Sequence, residues 1–384
     1  MLADQRPTIH RISGEPGWHR VLVNDDGAGD RLAATSGERV RAWVREDFGV
    51  DLISMDVTGH GADEAAELWR GVCVDGAPYA VKLSGGGTPA GIVVSALLAE
   101  RGVAGVAGPV PTRDGRLWNE REGRRLSVVP WVSDDRALGG GMSAQHWSSY
   151  GALLAEVHAT AVTDALAKQL PREDHTHERV APAARALDSR IRISVGPADY
   201  LARAVAEEWS TAADVVFTLL EQADGLGREL RTRMAPSVVC HGDPHLGNVL
   251  LGGDDRVWLV DWDDAVLAPR ERDLMFVTGG GLAFAPVSTQ EKSWFFDGYG
   301  AADLDPARLA YYLCTRALDD IADFATHVAD VRRSEPERAD ALSIVRGLLS
   351  PTGLVSLALL SLRDLGLVRD EIPTSALLQR GERS

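Results

Sequence analysis

Apolar positions change period along this chain. From about residue 51 they fall in short runs divided by turn signals. "LISMDVTG" is followed by "WRGVCV" and "PYAVKL". Gly59-His60-Gly61 separates the first two runs, and Asp75-Gly76 separates the last two. Asp-Gly between two such runs is a hairpin signal, so three antiparallel strands are predicted, with Lys82 near the end of the third. A helix is predicted next, with Thr88 as N-cap and Pro89 as first helical residue. Ile92, Val93, Ala96, Leu97 and Leu98 supply its apolar face, and Gly102 ends it. "GRLWNE" and "RRLSVVPWV" are further strand candidates, and Pro130 marks the end of the second.

From Ser143 the period becomes helical. Trp147, Tyr150, Leu153, Leu154 and Val157 form one stripe, whose plain reading is core packing. Further helices are predicted over roughly 198–231, 304–332 and 336–365. Between them lies a β interlude of "SVVCHGD", "NVLL" and "VWLVDWD". The turn at Gly252-Gly253-Asp254-Asp255 joins the last two as a hairpin. The outline is α+β: a small antiparallel β lobe, a connecting strand and a larger helical lobe carrying a polar β insert.

Size and composition fit that outline. A chain of 384 residues predicts two lobes rather than one small core. The boundaries expected are an N-terminal extension over 1–50, a β lobe and connector over 51–132, and a helical lobe over 133–384. Cys73, Cys240 and Cys314 are too dispersed for a disulfide framework or a CxxC zinc pattern. The first residues have no apolar signal core, and Gly353 to Leu362 is too short to span a bilayer. A cytoplasmic protein with no membrane partner is expected, either monomer or homodimer. The net charge of −16 argues against nucleic acid and suits a cationic small molecule. Lysine occurs only at 82, 168 and 292, so its retention directly after a strand at Lys82 needs a reason.

The densest chemistry is "CHGDPHLGN" at 240–248. His241, Asp243 and His245 alternate, as zinc ligands on a strand would. Gly242 and Pro244 disfavour a regular strand there, and "DHTH" at 174–177 lies in a polar loop. A solvated polar loop is the blandest reading. Phosphoryl transfer accounts for more of the pattern. Kinase catalytic loops read H-R-D-x-x-x-x-N, with an aspartate for the hydroxyl and an asparagine for magnesium, and this chain has Gly242 where protein kinases carry the arginine. His241-Gly242-Asp243 is followed at that spacing by Asn248, and Asp261 follows an apolar strand as a second magnesium ligand should. Hard cations need oxygen ligands, and the transferred phosphoryl needs its charge neutralised. Lys82 after "YAV" sits where a kinase strand lysine meets the nucleotide phosphates. Gly59 and Gly61 are expected in a phosphate-covering turn. Asp263 and Asp264 either hold a cationic substrate or are structural.

Together these segments, "HGDPHLGNVLL" and "VWLVDWDDAVLAPRERDL" above all, resemble the aminoglycoside phosphotransferase family over roughly residues 50–370. "LAPRERDLMFV", "GVAGPVPTRDGRLW" and "SWFFDGYG" look most like the members that modify spectinomycin. The resemblance implies a bilobal protein-kinase-like fold. It implies Asp243 as catalytic residue, Asn248 and Asp261 as Mg2+ ligands and Lys82 as the phosphate contact. Main-chain groups near Pro130 and Val132 would meet the adenine. The implied cofactors are ATP or GTP with Mg2+. The implied activity is O-phosphorylation of a hydroxyl-bearing antibiotic, cationic or sugar-bearing. Spectinomycin or a related aminocyclitol or aminoglycoside is the first choice, and an arginine-rich, lysine-poor chain suits self-resistance in a producer. A nucleoside antibiotic, or a metabolic substrate such as choline, homoserine or a sugar, is the alternative. By the same resemblance Asp273 is structural; His241 is expected to brace the loop, and His245 is assigned no role. One feature departs from the pattern: the helix "PAGIVVSALLAERG" is apolar where a glutamate partner of the lysine belongs, and Glu100 comes late. Lys82 is then unpaired or held by another carboxylate.

Overall fold

A computed structural model of the chain describes residues 29–58, 66–176, 199–280 and 285–369. The expected turn at Gly59 and Gly61 lies outside the described residues. The first lobe is a five-stranded antiparallel sheet in the order β1-β2-β3-β5-β4. Its strands are β1 (Leu52–Val57), β2 (Ala66–Cys73), β3 (Pro78–Ser84), β4 (Asn119–Arg121) and β5 (Arg124–Pro130). The Asp75-Gly76 hairpin forms as expected, with Val72 opposite Pro78 across β2 and β3. Strand β4 is shorter than "GRLWNE" suggested, beginning only at Asn119. Pro130 does close β5, paired with Tyr79. Its missing N–H sets no ladder bond at risk there.

Helix α1 (Gly29–Phe48) covers one face of this sheet. Val40, Val44 and Phe48 pack with Leu52, Trp69, Val81, Leu83, Leu126 and Val128 in one apolar cluster. Helix α2 (Ala90–Glu100) follows β3. It starts one residue later than predicted: Pro89 is the N-cap, and the Thr88 hydroxyl accepts from the Ala90 N–H at 3.3 Å.

The second lobe is mainly helical. Helix α3 (Ala144–His158) buries Trp147, Tyr150, Leu153, Leu154 and Val157, the stripe read from the sequence. The long α4 (Tyr200–Arg231) packs against α7 (Pro306–Ala329), α8 (Glu335–Leu348) and α9 (Leu354–Asp364) around Trp209, Leu219, Tyr312, Leu318 and Leu359. Between α4 and α7 lie α5 (Glu271–Met275) and α6 (Thr289–Tyr299). The single helix expected over 336–365 is instead two helices broken at Leu349–Gly353. Pro351 prevents a continuous helix there, and the Gly353 N–H turns back to the Ser350 carbonyl at 2.9 Å.

The β insert forms two small antiparallel pairs. Strand β7 (Val249–Leu251) pairs with β8 (Val257–Leu259), as the Gly-Gly-Asp-Asp turn indicated. Strand β6 (Val238–Cys240) pairs with β9 (Val266–Ala268), a strand that the alternation of the sequence did not announce. These pairs carry the polar loops to the junction of the lobes.

Candidate active site

Residues 241–248 link β6 to β7 and are fastened from below. Gly242 has φ +88°, and a Cβ there would lie 2.1 Å from the Asp264 carbonyl oxygen. Only glycine allows the two loops to meet backbone to backbone. Asp273 of α5 is fully buried and accepts the main-chain N–H groups of His241 and Gly242, each at 2.8 Å. His158 Nε2 lies 3.0 Å from the same carboxylate. Burial pushes Asp273 up, but the hydrogen bond and charge of His158, with His241 and the Gly242 N–H, hold it below its ordinary value. The Tyr150 hydroxyl donates to the Pro244 carbonyl.

Both histidines of the motif are committed to this scaffold. His241 is buried 4.6 Å from the Trp262 ring; its Nδ1 accepts from the Asp243 N–H at 3.3 Å and its Nε2 donates to the Val260 carbonyl at 2.9 Å. His245 Nδ1 accepts from the Gly247 N–H at 2.9 Å. His158, Cys240 and Asp273 also cluster closely enough to suggest metal ligands. Their atoms are otherwise engaged: Cys240 donates towards the Ala268 and Pro269 carbonyls, and His158 Nδ1 lies 2.7 Å from the Tyr299 hydroxyl. The cluster is a buried hydrogen-bonded brace.

Oxygen atoms remain for a cation. The Asn248 amide donates to the Asp243 carbonyl at 2.9 Å, which leaves its side-chain oxygen as the free end. The Val260 N–H donates to the Asn248 carbonyl at 3.0 Å, so Asn248 and Asp261 sit on adjoining backbone. Asp261 adopts a left-handed conformation, φ 62° and ψ 66°, at a cost on the order of 1 kcal/mol. Its carboxylate is 52% exposed despite buried neighbours. An amide oxygen beside a carboxylate is the donor chemistry that suits Mg2+.

Lys82 has two carboxylate partners. Its Nζ is 3.1 Å from Asp261 Oδ1 and 2.5 Å from Asp263 Oδ2. Burial disfavours the ammonium, but the two carboxylates outweigh it and hold Lys82 well above its usual value. Burial likewise pushes Asp261 up, and Lys82 brings it below its ordinary range. The partner missing from α2 thus comes from the turn after β8. A Cβ on Gly91 of α2 would lie 2.2 Å from the Trp262 carbonyl oxygen. That contact seats the helix directly on the Asp261–Asp264 turn.

Arg316 and Asp320 were not found by sequence reasoning. Arg316 of α7 places Nη1 2.8 Å from Asp243 Oδ1 and Nε 2.9 Å from Asp320 Oδ1. Its guanidinium lies 5.5 Å from the Phe276 ring centroid. The available signal was positional: Tyr312, Arg316 and Asp320 recur at i, i+4, i+8, which puts charge on a buried helix face. Asp264 is also at this site, partly open to solvent; the protein packed around its carboxyl, and then the charge of Asp243, raise it above its ordinary value. Pro130 and Val132 lie at the connector, where Trp131 N–H donates to the Pro78 carbonyl at 3.0 Å. The Ser133 hydroxyl donates to the Leu251 carbonyl at 2.5 Å, tying the connector to the β insert.

The phosphotransferase enzyme family model, APH, matches residues 92–314, more than half of the chain. The chain belongs to that family of phosphotransferases. The protein StrN of Streptomyces griseus is 28% identical over 187 residues. That match covers 48% of this chain and only 58% of StrN. Among solved structures, spectinomycin phosphotransferase APH(9)-Ia in complex with ADP and spectinomycin is similar, at 23% identity and a TM-score of 0.75. The likeness covers 84% of this chain and 98% of that one. An ethanolamine kinase of Plasmodium vivax aligns over 85% of this chain and 89% of its own, at 12% identity and a TM-score of 0.54. These two likenesses show the protein-kinase-like fold. Among the described residues, no helix is long and apolar enough to cross a membrane.

Proposed function

We infer that this protein transfers the γ-phosphoryl group of ATP or GTP, with Mg2+, to a hydroxyl of a small antibiotic-like molecule. What carries the reading is the set of contacts around one loop: Asp261 bonds Lys82, and Asn248 bonds the Asp243 main chain. Asp243 receives the acceptor hydroxyl and takes its proton as the phosphorus–oxygen bond forms. Lys82 holds the nucleotide phosphates. Asn248 and Asp261 hold Mg2+, which when bound offsets charge on the phosphate oxygens. Pro130 and Val132 offer main-chain groups to the base. On this reading residues 51–132 form the nucleotide lobe and hinge, and 133–384 bear the acceptor site. Residues 1–50 are an extension whose helix buttresses the sheet.

The acceptor proposed first is spectinomycin or a related aminocyclitol. The support is Asp264, which lies beside Asp243 with no hydrogen bond or ion pair to its side chain among the described residues. Asp263 is engaged by Lys82, so of the two carboxylates Asp264 is the one left to meet an ammonium group. The same feature suits an amino alcohol such as choline or ethanolamine, which makes a metabolic kinase the second reading. Incubation with Mg-ATP and a panel of spectinomycin, aminoglycosides, nucleoside antibiotics, choline and ethanolamine tests both. A phosphoryl group added to spectinomycin, seen by mass, is the expected result. Phosphorylation of choline or ethanolamine alone would select the second reading, and no phosphorylated product at all would refute both.

A further inference from the structure

Arg316 is shared between two carboxylates on opposite sides. Asp243 Oδ1 accepts from its Nη1 at 2.8 Å, and Asp320 Oδ1 lies 2.9 Å from its Nε. The guanidinium is 20% exposed and Asp320 13%, so both charges are largely out of water. Such groups are held far more firmly than a surface pair when partnered, and neither can be left alone. Asp320 stands one helical turn beyond Arg316 on α7. A change in the terminal torsions of Arg316 would convert the shared arrangement into a fork pair with Asp320, with no movement of the helix. Burial pushes Asp320 up to about 6, with Arg316 pulling the other way and Asp243 adding to the rise. Asp320 therefore gains from a closer cation.

The other oxygen of Asp243 also faces the chain. His245 Nε2 lies 3.5 Å from Asp243 Oδ2. Because His245 Nδ1 accepts from Gly247, its proton is assigned to Nε2. Burial lowers the His245 value, which keeps the ring neutral. Oδ1 of Asp243 thus meets a donor, and His245 stands near Oδ2, before any acceptor arrives. The guanidinium at 2.8 Å occupies the very oxygen that an acceptor hydroxyl would have to reach.

We propose that Arg316 is a positioning residue that occupies Asp243 until an acceptor hydroxyl takes its place, and then passes to Asp320. This rests on the reading of Asp243 as the group that takes the hydroxyl proton. In transfer, the acceptor oxygen bonds to the γ-phosphorus and the bond to the bridging oxygen breaks. Its electron pair leaves with the nucleoside diphosphate, and the hydroxyl proton goes to Asp243. Water in the acceptor's position would undergo the same steps and waste the nucleotide. Water brings too few contacts to displace a buried guanidinium, whereas an acceptor anchored by the rest of the pocket brings enough.

The test is hydrolysis of Mg-ATP by the full chain with no acceptor present. Arg316→Gln is expected to hydrolyse about tenfold faster than the unaltered protein, which corresponds to about 1.4 kcal/mol in the barrier. Adding Asp243→Asn to that variant is expected to remove the gain. Asp320→Asn, which denies Arg316 its second partner, is expected to hydrolyse no faster than the unaltered protein. Arg316→Lys keeps the charge without the fork and is expected to fall between. Thermal unfolding, with and without Mg-ADP, establishes that each variant folds and binds nucleotide. A folded, nucleotide-binding Arg316→Gln that hydrolyses no faster would overturn the proposal, and Arg316→Lys decides in the same way if Arg316→Gln does not fold. A different result marks failure of the underlying reading: Asp243→Asn alone would hydrolyse as fast as the unaltered protein.

Discussion

Lys82 lies closer to Asp263, at 2.5 Å, than to Asp261, at 3.1 Å. Two roles are therefore divided between two carboxylates of one turn. Asp263 keeps the lysine in place, and Asp261 remains half-exposed, which suits the metal role proposed for it. Exchange to Asp263→Asn should raise the KM for nucleotide several-fold and leave kcat within about twofold. Its effect is bounded because a pair this exposed contributes about 1 kcal/mol or less. Steady-state kinetics at saturating acceptor checks it, and an unchanged KM would remove Asp263 from the site.

Asp243 should behave as a proton acceptor and not as a nucleotide ligand. Asp243→Asn keeps the shape and the main-chain bond to Asn248. The expected outcome is a fall in kcat of roughly 100- to 10,000-fold, the range that proton transfer commonly contributes. Nucleotide affinity, measured by calorimetry, should stay within about threefold. Near-normal turnover in this variant excludes the role.

Asp261 should report on the metal. Asp261→Ala removes a hard oxygen ligand and one partner of Lys82. The Mg2+ concentration for half-maximal nucleotide binding should rise by at least about tenfold, since even groups behind a ligand commonly cost that much. A magnesium titration followed by binding alone separates this from chemistry. An unchanged titration midpoint would mean that the metal is held elsewhere.

What the sequence disclosed divides by range. The candidates Asp243, Asn248 and Asp261 were legible because the roles proposed for them need fixed residue types at short spacing, and glycine and proline punctuate the loop that carries them. The strands around Lys82 were legible because alternation and an Asp-Gly turn are local signals. Strand β9 was not, because three residues running into "APRERD" give too little alternation to register. The break at Pro351 was hidden by apolar periodicity that continues on both sides of it. Arg316 was out of reach for a different reason. Its meaning depends on Asp243, 73 positions away, and only the packing of α7 against the loop brings them together. Asp263 lay in plain view, yet its pairing to Lys82 follows from Gly91 letting α2 settle on the turn.

The brace beneath the loop makes a prediction about stability and pH. Asp273 is fully buried and satisfies two main-chain N–H groups and His158. Asp273→Ala would strand these donors, at about 1–3 kcal/mol for each one left unsatisfied. A loss of roughly 3 kcal/mol or more is expected, together with misplacement of Asp243. The dependence on acid follows from the direction of the shift. The folded-state value of Asp273 lies below its ordinary one, so the carboxylate is favoured in the folded protein. Its contribution is complete above the unfolded value, about 4, and is lost as pH falls through the lower folded value. Denaturant unfolding of the two proteins should therefore differ fully at pH 7, and the gap should narrow only below about pH 4. A gap that closed between pH 5 and 7 would mean that a group other than this carboxylate carries the linkage.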